Sequence, residues 1–169
     1  MTATAHALVG AAIAAKIQNP ALALPIAFVS HFVFDKLPHW DPMTNHDKKT
    51  KKRIFWETVT DVILSYLLVT VFFFLYKSTQ PVSPLASQTL SARLPQLFYF
   101  YVCAFAAQLP DWLEIPYLFN LPDFLKAKWN YRLQHWVHDV GFDSRTQAPW
   151  GVVTQVAVSG IFLLWAILP

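Results

Sequence analysis

Residues 54–77 read I-F-W-E-T-V-T-D-V-I-L-S-Y-L-L-V-T-V-F-F-F-L-Y-K. From Val62 to Tyr76 the run is almost wholly apolar, and Lys77 closes it. A bilayer core of roughly 30 Å needs about 20 apolar helical residues. This stretch meets that need and is the clearest spanning segment of the chain. Its early turns carry Glu57 and Asp61, four apart and so on one helix face.

The surrounding sequence agrees. The 169 residues are 55% hydrophobic and only 14% charged, with a mean hydropathy of +0.36. A soluble domain usually carries about 25% charge. Trp and Tyr, which favour the membrane interface, are abundant. The length suits one domain, so a single integral membrane domain over residues 1–169 is expected. A net charge of +3 is too small to argue for a nucleic-acid partner. Cys103 is alone in an apolar run, which makes it a small buried side chain and excludes an internal disulfide. No Lys or Arg precedes the first apolar stretch, so it reads as a retained helix and not a cleaved signal peptide.

Working outward, residues 2–18 are rich in Ala and read as a helix that allows close neighbours. Asn19-Pro20 is a turn, and a second helix runs over 20–37 with Pro25 as a kink. These two should form a tight antiparallel hairpin. Residues 42–53 form a polar basic loop, and 78–91 a Pro/Ser/Thr linker. Helices are expected over 94–109 and 148–168, with short interfacial helices between 111 and 146. The fold class is therefore all-α: a polytopic membrane bundle of about five long helices plus short interfacial ones. The helices at 2–18, 20–37 and 94–109 are short for a full span.

Alternating helix direction defines two sides. Ten basic residues, among them Lys48, Lys49, Lys51, Lys52 and Arg53, fall on the side of the N-terminus, against Lys16, Lys77 and Arg93 opposite. The positive-inside rule puts the N-terminal side in the cytoplasm. All six histidines and all ten carboxylates fall there too.

Among them, Ser30 to Asp41 reads S-H-F-V-F-D-K-L-P-H-W-D. His31 and Asp35 share a helix face, and Pro38 ends the helix before His39. Taken alone, these residues fit part of a metal site or a capped helix end at a membrane surface. His6, His31, Asp35 and Asp61 all lie in mostly apolar stretches, where ionisable groups are costly unless paired or bound. Topology should bring His6, His31, Asp35, Asp111, His135 and His138 together as metal ligands. Asp61 or Glu57 would act as general base or as a supporting group around the ligands. His39, Asp41, Glu114 and Asp139 are candidates for supporting positions around the ligands. Zinc is the expected ion, with manganese or magnesium if carboxylates dominate.

The early histidine in T-A-H-A-L-V-G-A-A-I-A, the S-H-F-V-F-D-K-L-P-H-W-D segment and L-P-D-W resemble the YdjM-like membrane-bound metal-dependent hydrolases of bacteria. More distantly, the H-x-x-x-D element is similar to that of the all-helical zinc-dependent phospholipase C enzymes. The resemblance covers most of the chain in order and hydropathy. It implies a helical membrane protein with a metal centre at His6, His31, Asp35, Asp111 and the His135 region. Where the family tends to have H-R-x-x-T-H-S, this chain reads Y-R-L-Q-H-W-V-H-D.

The function expected is a metal-dependent hydrolase of the bacterial inner membrane. It would act on a lipid-linked ester or phosphoester at the cytoplasmic face, with membrane lipid as its partner. The rival is a non-catalytic metal- or lipid-binding scaffold, or a small transporter subunit. A haem protein is a third option, disfavoured by the tight Ala-rich hairpin.

Overall fold

The computed structural model describes residues 1–80, 90–118, 120–139 and 148–168. The protein is all-helical. In chain order the helices are α1 (Ala3–Lys16), α2 (Pro20–Phe34), α3 (Lys51–Thr79), α4 (Leu90–Trp112), α5 (Ile115–Leu118), α6 (Lys128–Asp139) and α7 (Trp150–Ile167). Two 3-10 turns, His46–Lys48 and Asp123–Leu125, lie in the connections.

Local chemistry sets the starts of three helices. The Thr2 hydroxyl accepts from the Ala5 N–H, the Asn19 side chain from Ala21, and the Thr50 hydroxyl from Arg53. Each satisfies a donor that a helix N-terminus leaves without a partner. Thr50 is why α3 begins at Lys51, three residues before the start expected from hydropathy. Helix α4 departs more from expectation. It starts at Leu90, inside the stretch read as linker, and passes through Pro110 to Trp112. A proline there removes one bond of the last turn, and the Pro110 carbonyl accepts from the Asn130 side chain at 2.9 Å. Linker residues 81–89 lie outside the described residues, as do 140–147, with Asp143 and Arg145.

Helix α1 is the hub. Every residue from Ala5 to Ala15 is buried, and α2, α3, α4 and α7 all pack on it. A helix of small apolar residues on every face has no polar side to give to solvent, so it goes to the centre. Helix α4 packs closely on α1 at Gly10. A Cβ placed on Gly10 would lie 2.5 Å from the Cys103 carbonyl oxygen. The expected α1–α2 hairpin exists, but it is one of four contacts rather than the main one.

Cross-links confirm the alternating helix directions. At one end the Tyr76 hydroxyl donates to the Ala15 carbonyl, Tyr99 to Ile17 and the Lys16 ammonium to Leu168. At the other end Thr2 meets Gln155 of α7, Ala3 meets Asp61 of α3, and Gln108 of α4 donates to the Ala3 carbonyl.

Among the described residues, two helices are long and apolar enough to cross a membrane: α3 and α7. Helices α1 and α2 are shorter, so the sequence expectation of about five spans is met by length and hydropathy only in part. The outer surface is nonetheless apolar. Leu22, Ile26, Val29 and Val33 form an exposed stripe on α2; Ile63, Leu67, Val71 and Leu75 do so on α3, and Val152, Val156, Ile161 and Leu164 on α7. Buried polar side chains, by contrast, gather at the N-terminal end of α1.

Candidate metal centre

Helix α2 delivers His31 and Asp35 on successive turns of its last face. Both are buried. The Nδ1 of His31 hydrogen-bonds to the Ala107 carbonyl of α4 at 2.9 Å. A carbonyl only accepts, so this nitrogen carries the proton and Nε2 is left with a lone pair in the neutral ring. That Nε2 lies 3.1 Å from Oδ2 of Asp35 and 3.4 Å from Oδ1 of Asp111. The Gln134 amide nitrogen of α6 approaches the same atom at 3.1 Å. A lone pair facing two carboxylate oxygens is repulsive unless a cation, either a proton or a metal ion, stands among them.

His6 completes the group from α1. Its ring stacks on that of His31 with centroids 4.0 Å apart, and its Nε2 lies 3.0 Å from Oδ1 of Asp35. The other nitrogen, Nδ1, is buried and has no hydrogen-bond partner. Ligand atoms of His6, His31 and Asp111 all fall within 4.8 Å of one another. His138 of α6 brings Nε2 to 3.6 Å from Oδ2 of Asp35. The Met1 amino group also contacts Asp35 Oδ1. Burial alone would push the Asp35 carboxyl up. The Met1 ammonium, joined by His31 and His6 where these are protonated, outweighs burial and holds the group well below the usual carboxylate range. Asp35 is therefore an anion at neutral pH.

Beside the group lies a cavity of about 430 Å³. Asp35, Asp111, Gln134 and His138 line it, so a ligand there can reach the carboxylates. Asp111 is the open member, with its side chain 47% exposed. Asp41, Asp61 and Glu114 also face this cavity, and among the described residues no Lys or Arg lines it.

The sequence candidates thus sort by position. His6, His31, Asp35, Asp111 and His138 come together. His135 lines the same cavity but is exposed, and its ring packs on Tyr131 at 4.2 Å. His39 and Asp41 are buried beside His138, the two imidazole rings 5.4 Å apart. Glu114 stands on the cavity wall. The Asp139 side chain lies outside the described residues.

The two proposed bases are engaged elsewhere. Asp61 caps α1: its carboxylate accepts from the Ala3 N–H at 2.6 Å, the Thr4 N–H at 3.1 Å and the Thr4 hydroxyl at 2.6 Å. Glu57 pairs with Lys49 at 2.8 Å and Arg53 at 2.7 Å, and does not line the cavity.

Sequence reasoning passed over the amides. Gln134 touches both His31 and Asp111. Gln108 joins Ala3, Ser65 and Tyr66, and Gln155 joins Thr2 to the Trp40 carbonyl. The available signal was an uncharged amide in each of two apolar helices, where such groups seek partners on neighbouring helices.

Compared with known proteins, the chain matches no family model, no curated protein and no solved structure. The reading of the site rests on its geometry and chemistry.

Proposed function

We propose that this chain is a membrane-embedded, metal-dependent hydrolase of the YdjM-like kind, acting on a lipid-linked ester or phosphoester at the cytoplasmic face of the bacterial inner membrane. The observation that carries this reading is the convergence of His31 Nε2 on the Asp35 and Asp111 carboxylates, with His6 beside it. That donor set of imidazole nitrogen and carboxylate oxygen suits zinc, and manganese or magnesium where carboxylates dominate.

His6, His31, Asp35 and Asp111 would hold the ion, with His138 reaching Asp35 from the far side. When bound, a divalent ion supplies Lewis acidity and lowers the pKa of a coordinated water. The chain's residues do the rest. The Ala107 carbonyl fixes the His31 tautomer. Gln134 holds His31 and Asp111 in register from α6. Glu114, on the cavity wall with Asp61, would be a further group to accept a proton there.

Placement at a membrane is supported by the surface of the same end. Trp56, Trp112, Trp129, Trp136 and Trp150 are all exposed there, alongside the exposed Lys51, Lys52, Arg53, Lys128 and Arg132. Aromatic rings and basic side chains together suit the headgroup layer, where each basic residue adds about 1 kcal/mol toward anionic lipid. The cavity would then open at the depth of a lipid headgroup.

A second reading is favoured by the acidic cavity: a non-catalytic cation-binding scaffold or small transporter subunit. The test is purified protein in vesicles of phosphatidylethanolamine and phosphatidylglycerol, loaded with zinc and assayed for released phosphate and fatty acid. The hydrolase reading expects release that a chelator stops. Stoichiometric metal with no turnover would favour the scaffold.

A further inference from the structure

The arrangement seen at His31 occurs a second time. His39 is fully buried, in the segment that follows α2. Its Nδ1 hydrogen-bonds to the Leu37 carbonyl at 2.8 Å and must therefore hold the proton. Its Nε2 is buried, carries the lone pair and has no hydrogen-bond partner. Oδ2 of Asp41 stands 3.5 Å from that nitrogen. The Thr44 hydroxyl donates to the other oxygen, Oδ1, at 3.0 Å and so aims Oδ2 at His39. Again two acceptors face each other in a buried place. Across from them the His138 ring lies 5.4 Å from the His39 ring, and its Nε2 is 3.6 Å from Oδ2 of Asp35.

We infer that His39, Asp41 and His138 form a second divalent-cation site, joined to the first through the Asp35 carboxylate. Asp35 is placed for this: Oδ1 faces His6, while Oδ2 lies between His31 and His138. A carboxylate shared by two ions is the usual way to hold them about 3.5–4 Å apart. The pairing also deals with the cavity's charge. Apart from the Met1 amino group, an anionic ester meets carboxylates and no Lys or Arg on the described walls, and a second dication would offset that field. The His31–Asp35 pair belongs to a helix, whereas His39 and Asp41 lie beyond Pro38 in irregular chain. The turn after Pro38 is thus what swings a second pair of ligands back beside α6, where Lys36 anchors the segment by donating to the Val137 carbonyl at 2.7 Å.

This inference rests on the metal reading of the first centre, and one experiment separates the two. The purified protein in detergent is stripped with a chelator, reloaded with Zn²⁺ alone and analysed for metal per chain. X-ray absorption at the zinc edge is recorded on the same samples. Two equivalents with a zinc–zinc vector near about 3.5–4 Å, falling to one equivalent without that vector in His39→Gln, is the expected result. Asp41→Asn serves as the second variant should His39→Gln fail to fold, and the same loss of one equivalent is expected. A single equivalent in the unmodified protein, unaltered in both variants, overturns the second site and leaves the first intact. Two equivalents retained in both folded variants also overturns it. No bound zinc at all removes both sites.

Discussion

His31 Nε2 lies 3.1 Å from Oδ2 of Asp35 while the opposite ring nitrogen is committed to the Ala107 carbonyl. The i,i+4 spacing in α2 creates the contact, and α4 fixes its polarity. Removing the imidazole removes a nitrogen that lies 3.1 Å from Asp35 and 3.4 Å from Asp111. His31→Ala should abolish stoichiometric zinc binding while the protein still inserts and purifies. Metal analysis of the variant beside its circular dichroism spectrum checks both halves.

Gln134 offers a milder perturbation of the same nitrogen. Its amide supports His31 and Asp111 without being a strong ligand itself. Gln134→Ala should weaken zinc affinity about 10–100-fold, the range found for residues that orient ligands. Competition against a chromogenic chelator measures this directly.

Acid should act in two stages. Histidine ligands bind metal only when unprotonated, so zinc affinity should fall as acid titrates them. Asp35 behaves differently, because its carboxyl is held well below the ordinary range by its cationic neighbours. A depressed folded-state value stabilises the fold fully above the unfolded value of about 3.9, and that stability is lost only as pH falls through the lower folded one. Metal release should therefore precede loss of tertiary structure as pH falls. Parallel titrations of bound zinc and near-ultraviolet circular dichroism test the order.

Asp61→Ala should cost stability and not metal. The substitution leaves the Ala3 and Thr4 N–H groups at the start of α1 without their acceptor. Loss of such a cap is worth about 1–2 kcal/mol. Thermal unfolding in detergent should shift down while zinc stoichiometry stays unchanged.

Gly10→Ala probes the centre of the bundle. The added methyl meets the Cys103 carbonyl oxygen at 2.5 Å and the Ala104 Cα at 2.9 Å, both backbone atoms. Overpacking of this kind costs about 1–3 kcal/mol. A lowered unfolding temperature is expected, since α4 must move away from α1.

Much of this architecture could be read from residue order. The apolar run ending at Tyr76, the Asn19-Pro20 turn and the Pro38 break delimit helices by local rules that need no partner. Direction then alternates, and His6, His31, Asp35 and Asp111 fall at one end without further information. What was hidden depends on contacts distant in sequence. The composition of α1 puts it inside but does not say which helices surround it, since Ala on every face is compatible with any neighbour. Asp61 looked like a buried acid in want of a role because its partners are 57 and 58 residues away. Pro110 looked like a stop because its compensating contact comes from Asn130 in another helix. Residue order leaves His39 between a supporting position around the ligands and a helix cap, and only the contact with the Leu37 carbonyl shows which nitrogen holds its proton.

The most direct test of the central claim is anomalous diffraction at the zinc edge from crystals of the zinc-loaded protein. A peak about 2.0–2.1 Å from His31 Nε2, with Asp35 and Asp111 oxygens turned toward it, is the predicted result. A map with no peak at that nitrogen, and Asp35 held by the Met1 amino group alone in crystals grown with excess zinc, would contradict it.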